Sequence, residues 1–225
     1  MGATISEVLP YAIGVAISPV PIIAVILVLF SARARVNGPV FLLGWVVGVG
    51  VVSVVIYFVA DSGDVATDSD ASDTTFWVKL ALGVILLLLA ARRWRRRPAP
   101  GEAAPPPKWM GAIDSLTPVR ALGLALLLSA INPKNLALSF AAGASVAQTG
   151  ATTGDAVIGL VVFIVLASAT IAAPVFVSLF GGAKAASMLD GWKAWLSTHN
   201  AAVMATLLMV FGVVLLSEGV RGLTA

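Results

Sequence analysis

Six stretches of the chain are long, apolar and almost free of charged side chains. They cover residues 8–32, 36–60, 76–91, 119–148, 156–183 and 200–217. A helix that crosses a bilayer needs about 20 residues of this kind. Only 11% of the residues are charged, against about 25% in soluble domains, so a soluble core could not hide this much apolar surface. The sequence therefore predicts an all-α integral membrane protein with six transmembrane helices.

Basic residues concentrate on one side of the predicted membrane. The connections after spans 1, 3 and 5 carry most of the Lys and Arg residues, including the run RRWRRR at 92–97, whereas the opposite connections carry aspartates, mostly within 61–73. Positively charged loops stay in the cytoplasm. We therefore predict a multi-pass protein of the plasma (inner) membrane with its N-terminus and C-terminus extracytoplasmic. The RRWRRR run is interpreted as a topology anchor.

The side chains that most enzymes and metal sites use are scarce. The chain has no cysteine and a single histidine, His199, and its only glutamates near a span, Glu7 and Glu218, lie at span ends. No nucleophile and base stand at motif spacing. The sequence therefore predicts no enzymatic activity, no cofactor and no metal site. It predicts no nucleic-acid binding either, because topology accounts for the positive charge.

Two segments of the chain resemble each other. The stretch AISPVPIIAVILVLFSA at 16–32 aligns without gaps with AINPKNLALSFAAGASV at 130–146, and LGVILLLLA at 82–90 aligns with FGVVLLSEG at 211–219. These pairs divide the six spans into two sets of three. Because three is odd, the second set enters the membrane from the opposite side, which gives the inverted-topology repeat of many secondary transporters.

The repeat predicts three parts along the chain. The first three-helix repeat covers 1–91 and the second, inverted repeat covers 118–225. Between them, 92–117 is a cytoplasmic linker rich in basic residues and proline.

A proline interrupts the first span of each repeat. Pro19 lies about 11 residues into span 1 and Asn132 about 13 residues into span 4, or roughly 17 Å and 20 Å at helical rise. Both depths are near the middle of a hydrocarbon core about 30 Å thick. A helix opened at that depth is tolerated only where it lines protein or a watered cavity. We predict that helices 1 and 4 are broken at these prolines and that the breaks meet near the midplane.

Lys134 lies beside the second break, between two polar neighbours. An ammonium facing lipid at this depth would cost about 2.5–3.5 kcal/mol on insertion scales, so Lys134 is expected to face the protein interior. Asn132 and Asn135 flank it with amides that could hold a ligand or repair the broken helix. We predict that Lys134 is the charged contact for a substrate and the only ionisable residue well inside a span. Kink repair remains an alternative for the asparagines.

These motifs resemble a known family. The run PKWMGAIDSLTPVRALGLALLLSAINPKNLAL, together with AISPVPIIAVILVLFS, is similar to the GAP family, the glycopeptidolipid- and sulfolipid-addressing proteins of the lysine-exporter superfamily. The resemblance covers nearly the whole chain. It implies an exporter-like fold and a role in delivering surface glycolipids to the actinobacterial envelope. Its motif positions, carried over as the predicted substrate-binding residues, are Ser18, Pro19, Pro21, Asn132, Pro133, Lys134 and Asn135.

The predicted function is therefore that of an exporter-like inner-membrane protein. It helps to move or deliver surface glycolipids through a midplane site at broken helices 1 and 4. Two alternatives stay open: a small-solute exporter of the amino-acid type, and a non-transporting assembly factor for a larger lipid exporter. The expected partners are a glycolipid or other amphipathic, anionic substrate and membrane lipids. A larger lipid transporter and a second copy of the chain, as a homodimer, are further candidates.

Two local patterns in the sequence each have two possible interpretations. Residues 184–197 place apolar side chains at helical spacing, which predicts an amphipathic helix in the cytoplasmic interface or a plain connector. Gly44 and Gly48 form a G-x-x-x-G pair that permits close helix packing, either within the chain or in a dimer.

Overall fold

The protein is all-helical wherever its structure is described. The computed structural model describes residues 2–61, 69–95 and 116–224. A π-helical turn, Leu127–Ile131, joins α5 to α6, and a short 3-10 turn, Gly182–Lys184, precedes α8. The helices are α1 (Gly2–Ala16), α2 (Pro19–Leu29), α3 (Ala34–Asp61), α4 (Ser69–Arg95), α5 (Pro118–Leu126), α6 (Pro133–Gln148), α7 (Thr153–Phe180) and α8 (Ala185–Thr224).

The helices are long and apolar enough for a multi-pass membrane protein. Among the described residues, α3, α7, α8 and the Thr75–Arg95 part of α4 could each cross a bilayer alone. Two further pairs pass the same test together: α1 with α2, bent by 55°, and α5 with α6, bent by 62°. The count is six if each bent pair is one span. The predicted all-α membrane class is confirmed.

Both bends lie at the predicted prolines. Ser18 has φ −119° and ψ 93°, and Asn132 has φ −60° and ψ 121°, so each interrupts the helical conformation with extended backbone. The residue before a proline is pushed toward this region. Pro19 and Pro133 then start α2 and α6 at the first helical position, where an N–H would have no partner within the helix. The prediction that helices 1 and 4 are broken is confirmed.

The last helix differs from the predicted pattern. Of the predicted segment 184–197, residues 185–197 do not form a separate interfacial helix, because they continue without interruption into span 6 as the 40-residue α8. No proline lies between the two parts, and Gly191 alone is a weak helix breaker. The beginning of α8 packs against the end of α2, where the Lys193 ammonium lies 5.0 Å from the centre of the Phe30 ring.

Two predicted segments lie largely outside the described residues. Residues 62–68 of the acidic stretch 61–73 are outside the described residues. Helix α4 begins at Ser69, earlier than the predicted start of span 3 at residue 76. Residues 96–115 of the linker 92–117 are also outside the described residues, and they include the end of the RRWRRR run.

The glycine pair in α3 packs within the chain. A methyl group added at Gly48 would lie 2.0 Å from the Ser129 hydroxyl oxygen, and one at Gly44 would lie 3.0 Å from the Leu122 carbonyl oxygen. Both neighbours belong to α5 and the following π-helical turn. Of the two interpretations of the pair, the structure thus supports close packing of α3 against broken span 4.

Candidate functional site

The two helix breaks touch each other. The Lys134 ammonium lies 2.6 Å from the Ser18 hydroxyl oxygen, and the same oxygen lies 3.1 Å from the Asn135 side-chain oxygen. Ser18 ends the first break and Lys134 follows the second, 116 residues later in the chain. These contacts confirm the prediction that the breaks in spans 1 and 4 meet.

The break in span 1 leaves several backbone carbonyls at the end of α1 without their helical partners. Each finds a substitute. The Val15 carbonyl accepts from the Ser18 hydroxyl at 2.6 Å, and the Ala16 carbonyl accepts from the Thr170 hydroxyl at 2.6 Å. The Gly14 carbonyl would normally accept from the Ser18 N–H, but that N–H bonds to Ala16 at 2.9 Å. Gly14 is therefore open to a donor from another helix.

Lys134 supplies that donor. Its ammonium donates to the Gly14 carbonyl at 2.5 Å and lies 3.5 Å from the Ile17 carbonyl, while the side chain is only 2% exposed. A positive group at this place also faces the negative end of the α1 dipole. Lys134 thus caps α1 across the break, and every acceptor it contacts is a neutral group of the protein.

The two asparagines repair the second break. The Asn132 side chain accepts from the Lys134 N–H at 3.1 Å, which caps the start of α6. Asn135 donates from its amide to the Leu128 carbonyl at 2.9 Å, one turn before the break. The Asn132 N–H bonds to Leu127 at 3.0 Å, which makes the preceding turn π-helical. Kink repair, left open by the sequence, is observed for both asparagines.

The predicted binding residues therefore lie together at the two breaks, and Pro133 is the one among them that is exposed. Pro19 and Pro21 are buried at the start of α2, and Ser18 and Asn135 are buried beside them. Pro21 is the third residue of α2, where an N–H would have no partner within the helix. The arrangement brings together one ammonium, two amides, a hydroxyl and opened backbone. Substrate binding by these residues remains a prediction.

A second group of charged side chains lies between the first half of α1 and the last turns of α8. Lys79 in α4 is only 3% exposed and forms an ion pair with Glu218 of α8 at 3.1 Å. The same ammonium lies 3.1 Å from the Gln148 side-chain oxygen and 3.5 Å from the Ser145 hydroxyl oxygen, both on α6. The Tyr11 hydroxyl of α1 donates to Glu218. One carboxylate and one ammonium thus connect four helices.

The sequence did not predict this buried ion pair. Lys79 and Glu218 each looked like a charge at a span end. The sequence did contain a signal for this pair. Lys79 is near the predicted start of span 3 and Glu218 near the predicted end of span 6. In an alternating six-span bundle, these two ends lie on the same side of the membrane. Opposite charges at one level of neighbouring antiparallel helices are expected to pair.

The ion pair borders an open cavity. The terminal cavity, as we name it, has a volume of about 500 Å³ and lies between the ends of α1, α4, α6 and α8. Its polar lining includes Glu7, Lys79, Ser145, Gln148, Glu218 and Arg221.

Comparison with known protein families gives a match over most of the chain. A family model described as Sap, sulfolipid-1-addressing protein, matches residues 8–221. The match includes both helix breaks and the Lys79–Glu218 pair. Searches of curated proteins and of solved structures found no significant match.

Proposed function

Because this chain belongs to the sulfolipid-1-addressing protein family, we propose that it is an exporter-like protein of the inner membrane that moves or delivers surface glycolipids to the cell envelope. The observation that carries this proposal is the contact between two broken helices around a buried ammonium. Discontinuous helices that meet near the bilayer midplane are the usual binding element of secondary transporters. With such a site, a membrane protein associated with sulfolipid addressing could bind the lipid itself.

The proposal includes six spans arranged as two inverted three-helix repeats. Its support is a reciprocal contact at aligned positions. A methyl group at Gly83 would lie 2.9 Å from the Gly212 carbonyl oxygen, and one at Gly212 would lie 3.1 Å from the Gly83 carbonyl oxygen. Residues related by a two-fold axis that passes between them contact each other in this mutual way. Gly83 and Gly212 are the residues that the sequence repeat aligns.

In this mechanism the breaks bind the polar headgroup after Lys134 exchanges its partners. The ammonium now donates to the Gly14 carbonyl and the Ser18 hydroxyl, which are neutral acceptors. A sulfate, phosphate or carboxylate oxygen forms a stronger, charge-assisted hydrogen bond. Separation of the two breaks would release Lys134 to a headgroup, and their return to contact would expel the headgroup.

One observation favours a second function, that of a non-transporting assembly factor. The Lys134 ammonium already has its acceptors within the protein, so the breaks could be a rigid joint that supports a larger lipid exporter. Export of a small cationic solute has less support, because Lys134 would repel a cation in a low-dielectric site.

Reconstitution of the purified chain into vesicles tests these functions. The vesicles carry a fluorescent sulfated glycolipid in both leaflets, and a quencher added outside reports the glycolipid in the outer leaflet. A transporter is expected to move glycolipid between leaflets without another protein. Movement no faster than in protein-free vesicles would reject direct transport and favour the assembly factor. Efflux of labelled lysine without glycolipid movement would favour the small-solute exporter.

The proposed orientation places both termini outside the cytoplasm. Because the natural chain has no cysteine, single cysteines introduced at Ser69 and at Ala99 can be labelled without background. An impermeant thiol reagent is expected to label intact cells at Ser69→Cys and not at Ala99→Cys, since the basic connection that holds Ala99 stays in the cytoplasm. Both variants should react after the membrane is opened. Labelling of Ala99→Cys alone in intact cells would invert the topology.

A further inference from the structure

Two lysines in the described part of the chain are almost completely buried, and their partners differ. Lys134 donates to backbone carbonyls and a hydroxyl, which are neutral and fixed. Lys79 lines the terminal cavity, and its charged partner is the single carboxylate of Glu218. A carboxylate can be neutralised by a proton, whereas a backbone carbonyl cannot. Lys79 is therefore the buried cation that can change partners without opening a helix.

We propose that the terminal cavity is an anion-binding site in which an oxyanion replaces Glu218 as the partner of Lys79. The ligand class is a sulfate, phosphate or carboxylate group, either as a free ion or on the headgroup of an amphiphile. As the anion enters, the Glu218 carboxylate takes up one proton from water and becomes a neutral acid, while Lys79 keeps its proton. This inference goes beyond the proposed delivery function and does not depend on it.

The cavity supplies donors around Lys79. Gln148 accepts from Lys79 through its side-chain oxygen at 3.1 Å, so its amide N–H groups are directed elsewhere and can donate to a ligand. The Ser145 hydroxyl lies 3.5 Å from the same ammonium, and Arg221 lines the same cavity. The volume of about 500 Å³ falls within the range of small-molecule sites. An oxyanion bound here would contact an ammonium, an amide and a hydroxyl at once.

The charge balance of the cavity explains why Glu218 would take up a proton when an anion binds. Two cations, Lys79 and Arg221, and two carboxylates, Glu7 and Glu218, line it, so their formal charges cancel. The residues of α6 on this wall are neutral, and Tyr11 on α1 donates a hydrogen bond to Glu218. An entering anion would leave an unbalanced negative charge beside two carboxylates, which is costly at low dielectric. Protonation of Glu218 restores the balance for a monoanionic group such as a sulfate ester, and it offsets half of the charge that inorganic sulfate adds.

The terminal cavity is distinct from the helix breaks. Lys134 and Ser145 both lie on α6, separated by 11 residues, or about 16 Å at helical rise. The cavity is therefore separated along α6 from the cluster around Lys134. If the delivery function also holds, an anionic headgroup that leaves the breaks along α6 would next meet Lys79.

Titration calorimetry with inorganic sulfate tests this inference. The purified full-length chain in an uncharged detergent is titrated with sodium sulfate in two buffers of different ionisation enthalpy. The difference between the observed heats gives the protons taken up per anion, and we expect about one for the natural protein. Glu218→Gln should bind sulfate at least about tenfold more tightly and take up no proton, because the competing carboxylate is gone. Lys79→Met should lose sulfate binding.

Matched controls separate this effect from loss of folding. Lys193→Met removes another lysine that pairs with a carboxylate, that of Asp190 at 2.7 Å, but this pair is more exposed and lies at the opposite end of α8. It should bind sulfate with proton uptake like the natural protein. If Lys79→Met unfolds, the double variant Lys79→Met with Glu218→Met removes both charges and takes its place. Sulfate binding that survives loss of Lys79, or binding by the natural protein without proton uptake, overturns the proposal.

A second arm distinguishes the two sources of the anion. Nanodiscs that contain either a sulfated glycolipid or its desulfated counterpart are used to compete with sulfate. Competition by the sulfated lipid alone identifies a headgroup as ligand, whereas Lys79-dependent sulfate binding without competition identifies a free anion. Binding of neither probe overturns the proposal. The result is independent of the vesicle transport assay, which reads movement of lipid rather than occupancy of this cavity.

Discussion

Replacement of Gly143 by alanine is expected to destabilise the protein strongly, whereas the same substitution at Gly123 leaves it unaffected or slightly more stable. A methyl group at Gly143 would lie 2.3 Å from the Ser53 carbonyl oxygen and 3.1 Å from the Tyr57 backbone nitrogen. Both atoms belong to the backbone of α3, so no side-chain rotation can relieve the contact. Helices α3 and α6 must move apart. Overpacking of this kind typically costs about 1–3 kcal/mol, and a contact limited by backbone belongs at the upper end.

Gly123 is the matched control for this substitution. It also lies in a helix, α5, but a methyl group added there meets no atom within 4 Å. Alanine favours helix over glycine by up to about 1 kcal/mol, so the control is expected to be neutral or stabilising. Thermal unfolding of both variants in the same detergent measures the difference. Equal unfolding temperatures for Gly143→Ala and Gly123→Ala would mean that α3 and α6 do not pack as closely as described.

The sequence predicted the parts of this fold that depend on local chemistry. The absence of charge identified the spans, because hydrocarbon excludes charged side chains whatever the tertiary structure. The prolines identified the breaks at Ser18 and Asn132, because a proline disfavours the helical conformation of the residue directly before it. The contact between the breaks was predicted from the two similar segments of the sequence, because an inverted repeat would place two opened backbones at similar depth.

The partners of the buried charges could not be predicted in this way. Lys134 donates to the Gly14 carbonyl, and every residue has a carbonyl, so no pattern of side chains identifies that acceptor. The pairing of Lys79 with Glu218 depends on how α4 and α8 rotate about their axes, which close contacts such as Gly83 against Gly212 determine. The continuity of α8 was missed because a change in hydrophobic pattern is not a helix terminator.

Lys134→Met is expected to slow glycolipid delivery strongly while the protein still folds and inserts. The variant loses hydrogen bonds from a charged donor, worth about 1.5–3 kcal/mol, and leaves the Gly14 carbonyl without its partner at a cost of about 1–3 kcal/mol. It also removes an ammonium whose burial costs several kcal/mol. These terms oppose each other. The acceptors left behind are neutral, so no buried charge is stranded, and the net change in the free energy of unfolding should be small.

Delivery should respond far more strongly than stability. The proposed mechanism needs a cation that leaves the Gly14 carbonyl for a headgroup oxygen, and methionine keeps the length of the side chain without the charge. Loss of one charge-assisted contact worth about 1.5–3 kcal/mol corresponds to a decrease of roughly tenfold to a hundredfold in the rate of glycolipid movement. The vesicle assay measures that rate, and thermal unfolding of the same preparation measures stability.

Ser18→Ala separates capping from substrate binding. It removes one acceptor of Lys134 and the donor to the Val15 carbonyl, but it keeps the ammonium. If Lys134 acts on the headgroup, Ser18→Ala should lower the unfolding temperature and retain most of the transport. If Lys134 only caps α1, the two variants should lose transport in proportion to their loss of stability. A Lys134→Met protein that moves glycolipid at the natural rate would remove the anion contact at the breaks and leave the assembly-factor function, with Lys134 and the asparagines as the joint between two broken helices.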